Sequence, residues 1–319
     1  MKVLFFAALA YVAVVAVLAR KHLRELHPRR FFLETWMEVD RAAAEARARR
    51  QMEGKGYDWR PLVGFVVVAV VLTLQEYFGD RTTWARFVNQ GLVIDWGGGP
   101  GRAATHHLKV FGPQAWMNPR GYSDLAPLGY WSFTRSLGYF ALPVLVLRLW
   151  GERVRDYGLR TKGFLSHAWI YALFFGIVLV AVVIVAGTSE FANYYPFYKD
   201  ASRSWKDFFM WEVIYAAQFF TLEFFFRGFM LFSGRESLGS GVIVAMVVPY
   251  CMIHFGKPWA EALAAILAGV VLGTLSLKTR SIWSGFLIHV TVAVSMDLAA
   301  MLQTRGLPGG IKLPPGWGW

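Results

Sequence analysis

Apolar and polar positions segregate along this chain into long hydrophobic runs separated by short, charged interruptions. Runs long enough to approach the roughly 30 Å of a bilayer's hydrocarbon core lie near residues 3–19, 62–78, 128–149, 164–187, 206–232, 240–254, 261–277 and 281–302. The pattern predicts an all-α, polytopic transmembrane helix bundle of about eight spans. The sixth and seventh runs are short for a full crossing.

The interruptions set the orientation. Residues 20–60 and 148–163 and the turn Lys278 to Arg280 are rich in Arg and Lys. By the positive-inside rule these three loops face the cytoplasm. They agree only if the N-terminus is outside and the spans alternate, which puts the C-terminus outside too. Only Lys2 precedes the core of the first run, whereas Arg20, Lys21, Arg24, Arg29 and Arg30 follow it. That is the pattern of a signal anchor more than of a cleaved signal, although Val17-Leu18-Ala19 would also pass as a cleavage site. Residues 34–53 are rich in Ala, Glu and Arg and predict a charged helix on the cytoplasmic surface, read as a solvated linker helix. Residues 79–127 form a long outer loop. Its Gly97 to Arg102 stretch lacks the Lys-Ser/Thr ending of a phosphate loop, and no strand clearly precedes it, so it is read as a turn. His106 and His107, adjacent on this loop, could bind a metal but are read as a solvated pair.

Composition sharpens the class. The 319 residues are 56% hydrophobic and 17% charged, against about 45–50% and 25% in soluble domains. The net charge of +12 points to membrane lipids as partners and not to nucleic acid, because the basic residues flank apolar spans instead of forming a domain. Cys251 is the single cysteine. No disulfide within the chain and no cysteine zinc cluster can form, and a buried, inert thiol is expected. Ala265, Gly269 and Gly273 recur at a spacing of four, a small-residue stripe that permits close helix approach.

Ionisable side chains inside a bilayer are costly and tend to mark function. Glu212, Glu223 and Arg227 lie on the fifth span, His254 ends the sixth, and His289 and Asp297 lie on the eighth. Glu223 and Arg227 are four apart, so they share a helix face and can form an ion pair. Glu223 lies about nine residues from a helix end at Phe232, and His289 about eight from Ser281, or roughly 12–14 Å at 1.5 Å per residue. His254 is expected somewhat deeper. An acid and two histidines at matched depth suit a site that binds and activates water, with or without a metal. Two histidines and one glutamate would make a zinc set, with Arg227 competing for Glu223.

The strings "LEFFFRG" (222–228), "HFGKPWAEALAAILAGVVLG" (254–273) and "SIWSGFLIHVTVAVSMD" (281–297) resemble the three motif regions of the CPBP intramembrane proteases, the CAAX-protease and bacteriocin-processing (Abi) family. "DYGLR" (156–160) is similar to the family's entry segment. The resemblance spans about 154–302 and divides the chain into an N-terminal membrane region (1–150) and a protease-like core (151–319). It implies Glu223, Arg227, His254 and His289 as catalytic positions, with Tyr250 in place of the usual Phe of the second motif. Two positions depart from the family pattern: Leu222 stands where the first Glu is expected and Ala293 where Asn or Asp is expected. Asp297 and Glu212 are candidate substitutes for the missing polar groups.

The reading that follows is an intramembrane endopeptidase of the bacterial inner membrane. It would hydrolyse a peptide bond of a membrane-anchored or lipid-modified substrate, with water activated by Glu223 and His254 and the oxyanion held by His289. The cofactor is left open between none and zinc. The alternative is a catalytically inactive relative acting as a membrane scaffold or binding protein. A transporter is disfavoured, because no repeated pair of interrupted spans is present.

Overall fold

The computed structural model describes residues 2–97, 106–113, 117, 121–161 and 168–312. Buried in lipid, an apolar segment must satisfy its own backbone, so each long run closes on itself as a helix. The helices are α1 (Lys2–Leu18), α2 (Thr35–Met52), α3 (Arg60–Phe78), α4 (Arg81–Asn89), α5 (Leu125–Ser136) and α6 (Leu142–Leu149). They continue with α7 (Ala168–Ala186), α8 (Ser189–Tyr194), α9 (Trp205–Glu223), α10 (Leu231–Leu238), α11 (Gly241–Met252), α12 (Trp259–Thr279) and α13 (Trp283–Gln303). Four of them, α3, α7, α12 and α13, are individually long and apolar enough to cross a membrane. Two more passes are composite. A π-helical turn at Leu137–Ala141 joins α5 to α6, and another at Phe224–Met230 joins α9 to α10. The chain is an integral membrane protein of all-α architecture.

Within the bundle α7 packs between α1 and α13, α5 packs along α9, and α11 pairs with α12. The small-residue stripe explains the last pairing. A Cβ on Gly269 would come within 2.9 Å of Val247 Cγ2, and one on Gly273 within 3.0 Å of Met246 Cε. The larger core is built on the aromatic run of the fifth pass, with Phe224, Phe225, Phe226 and Phe229 all wholly buried.

The basic loops gather at one end of the bundle. Arg60 bridges Asp58 (2.9 Å) and Glu152 (3.1 Å). The Gly158 carbonyl accepts from Ile282 N (2.9 Å), and Leu159 pairs with Ser281. Gly158 sits at φ +85°, and a side chain there would strike Ile282, so glycine is required for this clasp. At the opposite end Arg203 reaches the Gly121 carbonyl (3.2 Å) and Arg305 the Lys199 carbonyl (2.7 Å).

Several expectations change. The charged helix α2 is docked and not a solvated linker. Trp36 Nε1 donates to Thr274 Oγ1 (2.9 Å), and Asp40 accepts from the Ser240 backbone N–H (2.7 Å) and hydroxyl (3.0 Å). The amphipathic face that achieves this is short: Thr35 and Ala43 are its buried residues. The outer segment 79–127 is not a bare loop. It contains α4 and an antiparallel hairpin of β1 (Leu92–Trp96) and β2 (His106–Phe111). A strand does precede Gly97, and the register sets Asp95 opposite His107; residues 98–102 of the Gly-rich stretch lie outside the described residues. α12, with 21 residues, is long enough to cross, whereas α11, with 12, is not. Cys251 is only partly buried, its Sγ 3.6 Å from the Ala262 carbonyl.

Candidate active site

The site begins with the turn of helix between Glu223 and Arg227. Both side chains are 0% exposed, and Arg227 Nη1 lies 3.1 Å from Glu223 Oε1. Four-residue spacing puts them on one face. The π-helical stretch from Phe224 widens the backbone beyond Glu223, a feature frequent at functional sites. The pass does not end at Phe232. It runs on to Leu238, so Glu223 lies about fifteen residues, not nine, from its basic end. The six residues beyond Phe232 extend the helix into the basic end, and Glu223 still meets His289, eight residues from Ser281.

α13 supplies the second wall. His289 Nδ1 lies 2.8 Å from the same Glu223 oxygen, and its ring is 18% exposed. Phe219, one turn before Glu223, stacks on the imidazole with centroids 5.3 Å apart and planes within 2°. One turn before His289 comes Gly285, and any Cβ there would overlap the Glu223 carboxylate. The carboxylate thus seats itself on bare backbone of α13.

α11 supplies the third wall. Tyr250 is buried, with its hydroxyl 3.1 Å from His289 Nε2. The Arg227 guanidinium carbon lies 3.8 Å from the Tyr250 ring centroid, a close cation–π contact. Glu223, Arg227, Tyr250 and His289 therefore form one connected cluster drawn from three helical segments.

His254 joins that cluster through Tyr250 and not through Glu223. It does not end a span: α11 stops at Met252, and His254 lies in the turn that follows. Its Nδ1 is 2.8 Å from the Tyr250 carbonyl, and its ring packs on the Tyr250 ring at 4.9 Å. With Nδ1–H donating to that carbonyl, Nε2 carries a lone pair. The same turn is pinned beyond it. Lys257 pairs with Glu261 (2.6 Å), which accepts from Tyr195 OH (2.9 Å).

The charged core of the site is under-satisfied. Although the two contacts to Glu223 Oε1 are close, their angles fall outside hydrogen-bond alignment. Both carboxylate oxygens, all three Arg227 nitrogens and His289 Nδ1 lack a well-formed hydrogen bond. Buried groups left this way are expensive unless they are used. Among the described residues no three His, Cys, Asp or Glu side chains converge as metal ligands do. Glu223, His254 and His289 thus do not fit a zinc set.

The candidate substitutes sit elsewhere. Asp297 is wholly buried and accepts from Trp211 Nε1 (2.7 Å), while its other oxygen is unpartnered. Glu212, next to Trp211, is also buried with one unpartnered oxygen. Both belong to the half of the bundle nearer the end opposite the basic loops. Leu222 packs in the core around Phe225 and Phe226, and Ala293 in the cluster around Trp211 and Tyr215. Phe219 and Gly285 are the site residues that sequence reasoning passed over. Their signal was the four-residue offset from Glu223 and from His289, which places each on the site-facing side of its helix.

Residues 204–295 match the family described as type II CAAX prenyl endopeptidase Rce1-like. The matched segment contains all four proposed catalytic positions and accords with the resemblance to the CPBP proteases. At the family level it supports a CAAX-type intramembrane protease. No curated protein and no solved structure matches the chain.

Proposed function

We propose that the Glu223–His289–Tyr250–His254 cluster hydrolyses a peptide bond of a membrane-anchored or lipid-modified substrate. The observation that carries this reading is the buried Glu223 carboxylate, held 2.8 Å from His289 and 3.1 Å from Arg227 with neither oxygen in an aligned hydrogen bond. A purely structural pair would be expected to close its hydrogen bonds.

In the proposed reaction His254 Nε2 takes a proton from water as the water oxygen attacks the scissile carbonyl carbon. The tetrahedral oxyanion is stabilised by the Tyr250 hydroxyl and by His289. Glu223 acts through His289, fixing its ring and offsetting the positive charge it carries as a donor. Arg227 positions Glu223. His254 then returns its proton to the leaving amine nitrogen as the C–N bond breaks. The substrate reaches the site within the bilayer or from the cytoplasmic side of a bacterial inner membrane.

A second reading has its own support. Leu222 fills an apolar core position where the family pattern has a carboxylate, and Ala293 another where it has a polar side chain. These favour a catalytically inactive binding or scaffold protein. The test is to incubate purified protein in nanodiscs with a library of membrane-anchored and lipid-modified peptides, beside His254→Ala. Product from the unaltered protein alone supports hydrolysis at this site. Equal product from both, or none from either, removes it.

A further inference from the structure

A second polar site lies away from this chemistry, at the basic end of the bundle. A cavity of about 190 Å³ opens there between α3, α10, the α12–α13 turn and the 152–160 segment. Four arginines line it: Arg60, Arg160, Arg235 and Arg280. Two are neutralised. Arg60 pairs with Glu152 (3.1 Å) and Glu236 (3.4 Å), and Arg160 with Asp156 (2.7 Å). These pairs use all three acids of the lining.

Arg235 and Arg280 remain. Among the described residues neither takes part in an ion pair or a side-chain hydrogen bond. The Arg235 guanidinium lies over the Phe232 ring at 4.7 Å. That contact uses the face of the guanidinium and not its N–H edges. Arg280 holds φ +53° and ψ +35°, the one positive-φ residue other than glycine among the described residues. A left-handed turn is uphill for a residue with a Cβ, and such strain persists where the surroundings or a function hold it. The chain places an arginine where glycine would be easier. Its partner across the cavity is another unpaired arginine.

We propose that this cavity binds a phosphate group, bridged by Arg235 and Arg280. Arginine's planar fork matches phosphate oxygens bidentately. Two unpaired guanidinium groups repel each other until an oxyanion lies between them. The cavity stands where the apolar spans give way to the basic loops, the level of lipid headgroups, with Phe232 and Tyr157 as its less polar wall. The phosphate can therefore come from an anionic phospholipid or from solution. This inference is independent of the proposed hydrolysis.

The test uses full-length protein in two settings. In neutral detergent, inorganic phosphate is titrated calorimetrically. In nanodiscs, the unfolding midpoint is compared between phosphatidylcholine alone and phosphatidylcholine with phosphatidylglycerol. Binding or stabilisation is expected in at least one arm. A response only to phosphatidylglycerol assigns the lipid, and one only to inorganic phosphate assigns the free ion. Arg235→Gln and Arg280→Gly should each weaken the response about tenfold or more, the worth of a charge-assisted contact. Arg280→Gly suits the left-handed backbone and should fold at least as stably without ligand, so its loss of response cannot be ascribed to misfolding. Arg153→Gln, an exposed basic residue outside the cavity, should respond like the unaltered protein. Silence in both arms, or an equal response from all the variants, overturns the proposal.

Discussion

His289 Nδ1 on α13 and Glu223 Oε1 on the fifth pass stand 2.8 Å apart in the interior of the bundle. The contact exists because Gly285 offers no Cβ to the carboxylate and Phe219 holds the imidazole flat against its own ring. It ties an acid to a base across two helices and makes both depend on the same local packing.

Gly285→Ala should therefore harm activity more than stability. The added methyl overlaps the carboxylate, and Glu223 must withdraw from His289. Turnover is expected to fall about 100-fold or more, the scale of a lost acid–base arrangement, while the protein still folds. Kinetics on the membrane-peptide substrate, with circular dichroism in parallel, decide this. Undiminished turnover would show that the close approach is incidental.

Arg227→Ala leaves a fully buried carboxylate without its guanidinium. Removing one partner of a buried pair typically costs about 3–5 kcal/mol. A large drop in the unfolding midpoint is expected, partly restored by the double variant Arg227→Ala with Glu223→Gln. If the double variant is no better than the single one, the pair is not energetically coupled.

His254 makes a different prediction, because its ring bonds a backbone carbonyl and not a buried charge. His254→Ala should abolish hydrolysis and leave the unfolding free energy within about 1 kcal/mol of the unaltered protein, the typical worth of one neutral hydrogen bond. A collapse of stability instead would assign His254 to the scaffold.

Asp58 gives a pH signature outside the membrane. Burial pushes its pKa up, but the hydrogen bonds and charge of Arg60 outweigh that and hold it below the usual carboxylate range. A depressed folded-state pKa stabilises the protein above the unfolded value of about 3.9 and is lost as pH falls through the folded value. Asp58→Asn should thus lower the midpoint at pH 7, with the gap narrowing below about pH 4. A gap that stays constant down to pH 3 would contradict the assignment.

Trp211→Phe probes the buried acid on the other side of the core. It strips Asp297 of its indole donor at 2.7 Å, leaving both oxygens unpartnered. A loss of about 1–3 kcal/mol is expected, with the double variant Trp211→Phe and Asp297→Asn recovering part of it. No change on denaturation would mean that the hydrogen bond carries no net stability.

Much of this was legible in the residue order. Length and hydropathy set the membrane class, because backbone groups in lipid leave a chain few alternatives to the helix. The four-residue spacing of Glu223 and Arg227 announced their pairing, and the spacing of Ala265, Gly269 and Gly273 announced a close helix approach, whose partner, α11, the fold supplied. Each of these depends on near neighbours along one helix. The motif strings pointed to the family segment at 204–295.

Other features depended on contacts between distant segments, which local spacing does not encode. The docking of α2 rests on Trp36 finding Thr274 and Asp40 finding Ser240. The continuation of the fifth pass beyond Phe232 to Leu238 rests on α10 packing against α2. That Glu223 meets His289, while His254 turns to the Tyr250 carbonyl, follows from the early end of α11 and the bare backbone that Gly285 offers on α13. Sequence alone determined which polar groups enter the membrane, because burying charge is expensive wherever the chain folds. Tertiary structure decided which of them touch, because that is set by how three helices pack.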